Sequence, residues 1–287
     1  MHVMRLGPMG AERPFVVSDE GVAYDASSVT AELDGTFLAR GGLGLLEEAL
    51  SGGKLMASGP VDDLGLRVGS PIARPGKVVC IGLNYRDHAE ETGAAIPIEP
   101  VVFLKDPTTV VGPYDDVLVP RRSVKTDWEV ELGVVIGTEA RYLDNEADAL
   151  HCVAGYVLAH DVSEREFQLE RGGQWDKGKS CETFNPLGPR LVPADQIADP
   201  QALPMRLWVN GVLRQDGSTA SMVFGVAYLV HHLSQFMVLR PGDVINTGTP
   251  AGVALGQPEP KPYLRAGDVV ELEIDGLGRQ RQVFGQA

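Results

Sequence analysis

The chain is short of cysteine, aromatic residues and positive charge, and it contains no long apolar run. Its three cysteines, Cys80, Cys152 and Cys181, are odd in number and have no C-x-x-C spacing. That pattern argues against a disulfide framework or a zinc knuckle and suits a reducing cytoplasm. With 25 Lys and Arg against 39 Asp and Glu, the net charge is −14. Nonspecific attraction to nucleic acid or anionic membrane therefore has no electrostatic basis, and an anionic small molecule would need local positive charge or a metal. No stretch reaches the roughly 18 apolar residues of a membrane span, and Met1–Pro8 lacks the apolar segment of a signal peptide. The expectation is a cytoplasmic protein, neither exported nor membrane-spanning. At 287 residues and 44% hydrophobic content, the chain can bury a full core, as one large domain or one plus a small appendage.

Residues 1–70 carry short apolar pieces such as Phe15-Val16-Val17 and a helical stretch over Gly44–Leu50, and read as a small amino-terminal domain. Pro71, Pro75 and Gly76 mark a connection, and residues 71–287 form the expected second, larger domain. Strand-like runs recur there at Val78–Gly82, Val101–Leu104, Trp128–Ile136, Gly155–Ala159, Leu207–Val209, Val244–Thr247 and Val269–Ile274. Asn210-Gly211 and Asp275-Gly276 are hairpin signals, because these pairs tolerate the positive φ of tight primed turns. Leu239–Asp243 and Leu264–Asp268 repeat one turn-into-strand signal, which favours antiparallel sheet over a βαβ array. Helices are expected at Ser163–Arg171, where Ser163 and Glu166 have capping-box spacing, and at Ser221–Met237.

The most informative segment is Asp127-Trp128-Glu129-Val130-Glu131-Leu132. In a strand, Glu129 and Glu131 share a face while Trp128, Val130, Leu132 and Val134 pack behind them. Two carboxylates so placed repel unless a proton or cation lies between them. With Asp161, at the end of another apolar run, they would offer oxygen ligands to a hard ion such as Mg²⁺ or Mn²⁺. The alternatives are a solvated strand edge for the glutamates and, for Asp161, a turn residue capping the next helix.

Three further clusters could carry chemistry. In Asn84-Tyr85-Arg86-Asp87-His88-Ala89-Glu90-Glu91, His88 and Glu91 fall on one face of a helical turn, where the carboxylate could orient the imidazole as a general base; a surface His–Glu pair is the alternative. Ala89–Ile98 is rich in small residues and could act as a mobile cover. Lys177 or Lys179 could neutralise an enolate or carboxylate, or simply be solvated. Asn246–Val253 could present backbone N–H groups to an anion, or be a plain tight loop; it lacks the Gly-Lys-Ser/Thr ending of a P-loop.

In this order, the segments resemble the fumarylacetoacetate hydrolase family, particularly members acting on acylpyruvates and 2,4-diketo sugar acids. The resemblance spans residues 71–285 and rests on Gly82-Leu83-Asn84-Tyr85 with His88, the Asp127–Leu132 segment, Gly155-Tyr156 with Asp161 and Arg165, Trp175 with Lys179, and Asn246-Thr247-Gly248-Thr249-Pro250. It implies an α+β, mostly β fold, a mixed β-roll catalytic domain with a small amino-terminal domain, assembled as a homodimer. It also implies metal ligands at Glu129, Glu131 and Asp161, catalytic groups at His88, Glu91 and Lys179, and substrate contacts at Tyr85, Arg165, Gln168 and Thr249. The departure lies in Gly178-Lys179-Ser180-Cys181-Glu182-Thr183-Phe184, where a phenylalanine usual just after the lysine is displaced.

The implied activity is Mg²⁺- or Mn²⁺-dependent hydrolysis of a carbon–carbon bond in a 2,4-diketo acid, giving pyruvate and a carboxylic acid. Decarboxylation of oxaloacetate-like acids and isomerisation of 2-hydroxydienoates would use the same site. A ureidoglycolate-type lyase and a noncatalytic binding protein are further alternatives.

Overall fold

A computed structural model describes all residues, 1–287. The chain is mostly β, and alternation along its strands decides what each face meets. Val130–Ile136, Val153–His160, Val244–Asn246, Val78–Gly82 and Val101–Lys105 lie side by side in a six-stranded sheet closed by Val192–Pro193. Most neighbours are antiparallel, but Val244–Asn246 runs parallel to Val78–Gly82, so the sheet is mixed. Val130, Leu132, Val134, Tyr156 and Leu158 turn into the larger core. There they meet Met205, Leu207, Val270, Leu272 and Phe284 of a five-stranded sheet, and Leu229, Val230 and Leu233 of the helix Val226–Ser234. Nearly complete burial on both sides explains why Val130–Ile136 reads as a continuous apolar run.

The first 70 residues form a five-stranded antiparallel sheet in the order Met56–Pro60, Val22–Asp25, Arg13–Val17, His2–Leu6 and Val68–Gly69. Its last strand ends where the connection was read. Val3, Val16 and Leu46 share an apolar cluster with Val135, Val157, Leu191 and Val244, so this part packs on the six-stranded sheet. The helix here runs Gly42–Ser51, slightly beyond the expected bounds.

Several local readings hold. Asn210 (φ 52°) and Gly211 (φ 75°) form the two-residue turn between Pro204–Val209 and Val212–Ser218. The two repeated turns close identically, with Asp243 accepting from the Arg240 amide and Asp268 from the Arg265 amide, each at 2.7 Å. Two helix expectations need correction. Ser163 and Glu164 pair as a short strand with Thr126–Asp127, leaving only a π-helical turn at Glu166–Glu170. The capping box does not form: the Ser163 hydroxyl donates to the Asp161 carbonyl at 3.0 Å, and the Glu166 carboxylate pairs with Arg171. The later helix is confined to Val226–Ser234, since Thr219–Ser221 closes as a separate 3-10 turn. No helix is long and apolar enough to cross a membrane.

Candidate active site

Strand pairing assembles the acidic cluster. Val130 lies opposite His160 and Glu131 opposite Ala159, and the Asp161 amide donates to the Glu129 carbonyl at 3.0 Å. Glu129, Glu131 and Asp161 therefore project from the same face of adjacent antiparallel strands. One carboxylate oxygen from each lies within 4.8 Å of the others, and all three residues are buried.

The cluster is bound into a network of ion pairs. Lys179 Nζ donates to Glu129 Oε2 at 2.7 Å and to Asp161 Oδ2 at 3.0 Å. Lys105 Nζ donates to Asp161 Oδ1 and, at 3.0 Å, to the Val162 carbonyl. Arg165 spans Asp127 (2.8 Å), Glu129 (2.7 Å) and Gln168 (3.1 Å). Asp127 also accepts the Trp128, Ala254 and Leu255 amides. Burial alone would raise the Glu129 pKa, but Lys179 and Arg165 outweigh it and hold the carboxyl below its usual range. Burial would likewise lower Lys179, yet Asp161 and Glu129 keep it raised and charged.

Glu131 differs. Four buried carboxylates, Asp127, Glu129, Glu131 and Asp161, stand against three buried cations, Lys105, Arg165 and Lys179. Glu131 is the carboxylate left without an ion-pair partner; it accepts the Gly248 amide at 2.9 Å. Burial, then repulsion from Asp161 and Glu129, pushes its pKa well up. One uncompensated carboxylate beside two others, all oxygen donors, fits a hard divalent cation. Gly248 is required for the close approach: its φ is +95°, and a Cβ would lie 2.9 Å from that of Asn84.

A cavity of about 200 Å³ opens over this cluster. His88, Glu129, Glu131, Arg165, Gln168, Lys179 and Thr249 line it. His88 sits on the helix Arg86–Thr92, its Nδ1 3.0 Å from Glu91 Oε1. Glu91 is fixed in turn by the Gly252 amide, 3.1 and 2.9 Å from its two oxygens. Thr249 donates its hydroxyl to the Val130 carbonyl and accepts from Gln215, both at 2.8 Å. Tyr85 lies elsewhere: its ring is in the core and its hydroxyl faces Met205 Sδ at 3.3 Å, so the structure does not bring it into the cavity. Lys177 is exposed, whereas Lys179 is buried. Sequence reasoning missed Lys105, the Asp127 hub and Gln215, which also accepts the Val130 amide.

Residues 77–284 match the family described as fumarylacetoacetate (FAA) hydrolase, C-terminal. The chain belongs to the fumarylacetoacetate hydrolase family. A relative from Burkholderia multivorans, provisionally named a hydrolase, is 48% identical over 283 residues, covering 99% of this chain and 98% of its own. Among solved family structures, a probable 2-hydroxyhepta-2,4-diene-1,7-dioate isomerase from Mycobacterium abscessus superposes with a TM-score of 0.81 at 34% identity, covering 100% of this chain and 99% of its own. Maleylpyruvate hydrolase from Sphingobium sp. SYK-6, in complex with manganese(II) ion and pyruvate, superposes with a TM-score of 0.80 at 28% identity over 100% of both chains. The family fold is thus shared along the whole chain, while the reactions named for its members differ.

Proposed function

We propose that the protein is a metal-dependent hydrolase that cleaves a carbon–carbon bond in a 2,4-diketo acid, releasing pyruvate and a carboxylic acid. The observation that carries this reading is His88, held by Glu91, lining the same cavity as Glu129 and Glu131 of the acidic triad. A Mg²⁺ or Mn²⁺ ion held by the triad supplies a Lewis acid for a 2-keto carboxylate. Bound there, it would offset Glu131, the carboxylate without an ion-pair partner, and put positive charge beside an anionic substrate.

The chain's own groups account for the proton and the charge. With the Glu91 carboxylate accepting from Nδ1–H, the other ring nitrogen of His88 is the base that takes a proton from water. Hydroxide adds to the carbonyl distal to the substrate carboxylate, and the adjacent carbon–carbon bond breaks, its electron pair passing to the pyruvate enolate. Lys179 spends two ammonium protons on Glu129 and Asp161, leaving a third N–H to meet developing negative charge. The enolate is then protonated to pyruvate. Small keto acids are the proposed ligands, residues 1–70 a separate small domain, the homodimer the proposed assembly and the cytoplasm the proposed location.

Heavy-oxygen water tests the reaction type. Hydrolysis of an acylpyruvate places one labelled oxygen in the released acid, and unlabelled acid would overturn the reading. Likeness to the M. abscessus isomerase favours a second reading, isomerisation of a 2-hydroxydienoate, whose product keeps every carbon of its substrate.

A further inference from the structure

The cavity joins two kinds of lining. Beside the charged cluster it is walled by Leu83, Phe103, Leu169, Trp175, Leu255 and Ile81. Its two permanently cationic residues, Arg165 and Lys179, are held by Asp127, Glu129 and Asp161, and the one Lys179 N–H left over serves the reacting end of the substrate. Of the other polar side chains lining it, Thr92 donates to the His88 carbonyl at 2.8 Å and Thr249 to the Val130 carbonyl, while the Gln168 side-chain oxygen accepts from Arg165 and its amide N–H groups stay free. An anionic or polyhydroxylated tail would leave water for an apolar wall and find only the Gln168 amide N–H groups in exchange, whereas an alkyl or aryl tail needs no partner.

Leu83 stands out within that wall. Its φ is +54°, in the left-handed region that disfavours a branched side chain, and it sits one residue before Asn84. Asn84 holds this backbone in place: its side chain donates to the Thr247 and Phe224 carbonyls and accepts the Phe224 amide. A strained leucine presented to a cavity marks a position where the side chain matters more than local backbone comfort.

Resting on the hydrolase reading for the reaction but not for the ligand's shape, we infer that this site selects 2-keto acids with a short, uncharged apolar tail, and that Leu83 is a specificity-determining residue contacting that tail. Dicarboxylate and sugar-acid substrates are disfavoured.

The test uses two acids of equal length, 2-oxohexanoate and 2-oxohexanedioate, titrated calorimetrically into the Mn²⁺-loaded protein, alongside hydrolysis of acylpyruvates with the matching tails. The neutral-tailed acid should bind at least roughly 30-fold more tightly. Equal or tighter binding of the dicarboxylate overturns the inference. Because binding needs no turnover, loss of hydrolysis for every acylpyruvate would sink the proposed reaction while the titration still decides the tail. Leu83→Asn, which tolerates the left-handed backbone, should weaken binding of the neutral acid about tenfold, raise KM with little change in kcat, and leave Tm unchanged or higher. Unchanged affinity in that variant overturns the role of Leu83.

Discussion

Glu91 links the imidazole of His88 to the amide of Gly252, so the candidate base is oriented by a loop far away in sequence. His88→Ala should lower kcat by about 10²–10⁴-fold while Mn²⁺ affinity stays within a few-fold of wild type. Calorimetric titration with the metal, beside single-turnover rates, checks both halves. A parallel loss of metal binding would remove His88 from the role of base.

Gly252 also accepts the Trp128 indole at 3.1 Å, and its φ is +110°. A Cβ there would lie 2.0 Å from the Arg214 carbonyl. Gly252→Ala should therefore shift the loop, cost about 3 kcal/mol or more in urea unfolding and depress kcat through Glu91. Wild-type stability and turnover would contradict the clamp.

Lys105→Met leaves Asp161 with Lys179 alone. In chelator-treated protein this should destabilise by roughly 3 kcal/mol, since a buried carboxylate loses one of its two cations. Saturating Mn²⁺ should recover part of the loss by supplying the missing positive charge. Urea unfolding with and without metal decides; an equal loss in both conditions argues against a cation at the triad.

These three positions also show what the sequence could and could not reveal. The Glu129–Glu131 pair was legible because strand parity is local, and His88–Glu91 because helical spacing is. Lys105 was not: in Val101–Lys105, Phe103 and Lys105 face inward while Val102 and Leu104 are partly exposed, and both sets are apolar enough that alternation cannot choose the inner face. Asp127 becomes a hub only when the Arg165 turn and the Ala254 loop close over it. The failed helix at Ser163 has the same origin. Its capping spacing was genuine, but Ser163 and Glu164 pair as strand with Thr126–Asp127, and Glu166 turns to Arg171. The amino-terminal sheet was illegible because its strands are only four or five residues long where they are not shorter.

His2 supplies a pH test remote from the acidic cluster. Burial, then the Arg190 guanidinium and the amino terminus, lower its pKa to about 4, with Asp19 opposing. The unfolded chain takes up this proton first, near about pH 6.5. The histidine's contribution to stability is therefore full above that value and falls as pH drops toward about 4. His2→Gln should unfold with a shallower decline between about pH 7 and about pH 4.5; parallel curves for the two proteins would contradict the shift.

A divalent ion on Glu129, Glu131 and Asp161 that serves acylpyruvate cleavage is tested by an ultraviolet assay of chelator-stripped protein with a small acylpyruvate, following the enol-diketone absorbance before and after Mg²⁺ or Mn²⁺ is added. Negligible loss is expected before addition and, after it, absorbance loss matched by pyruvate. Full activity without metal, or no pyruvate from a metal-loaded protein, would contradict it.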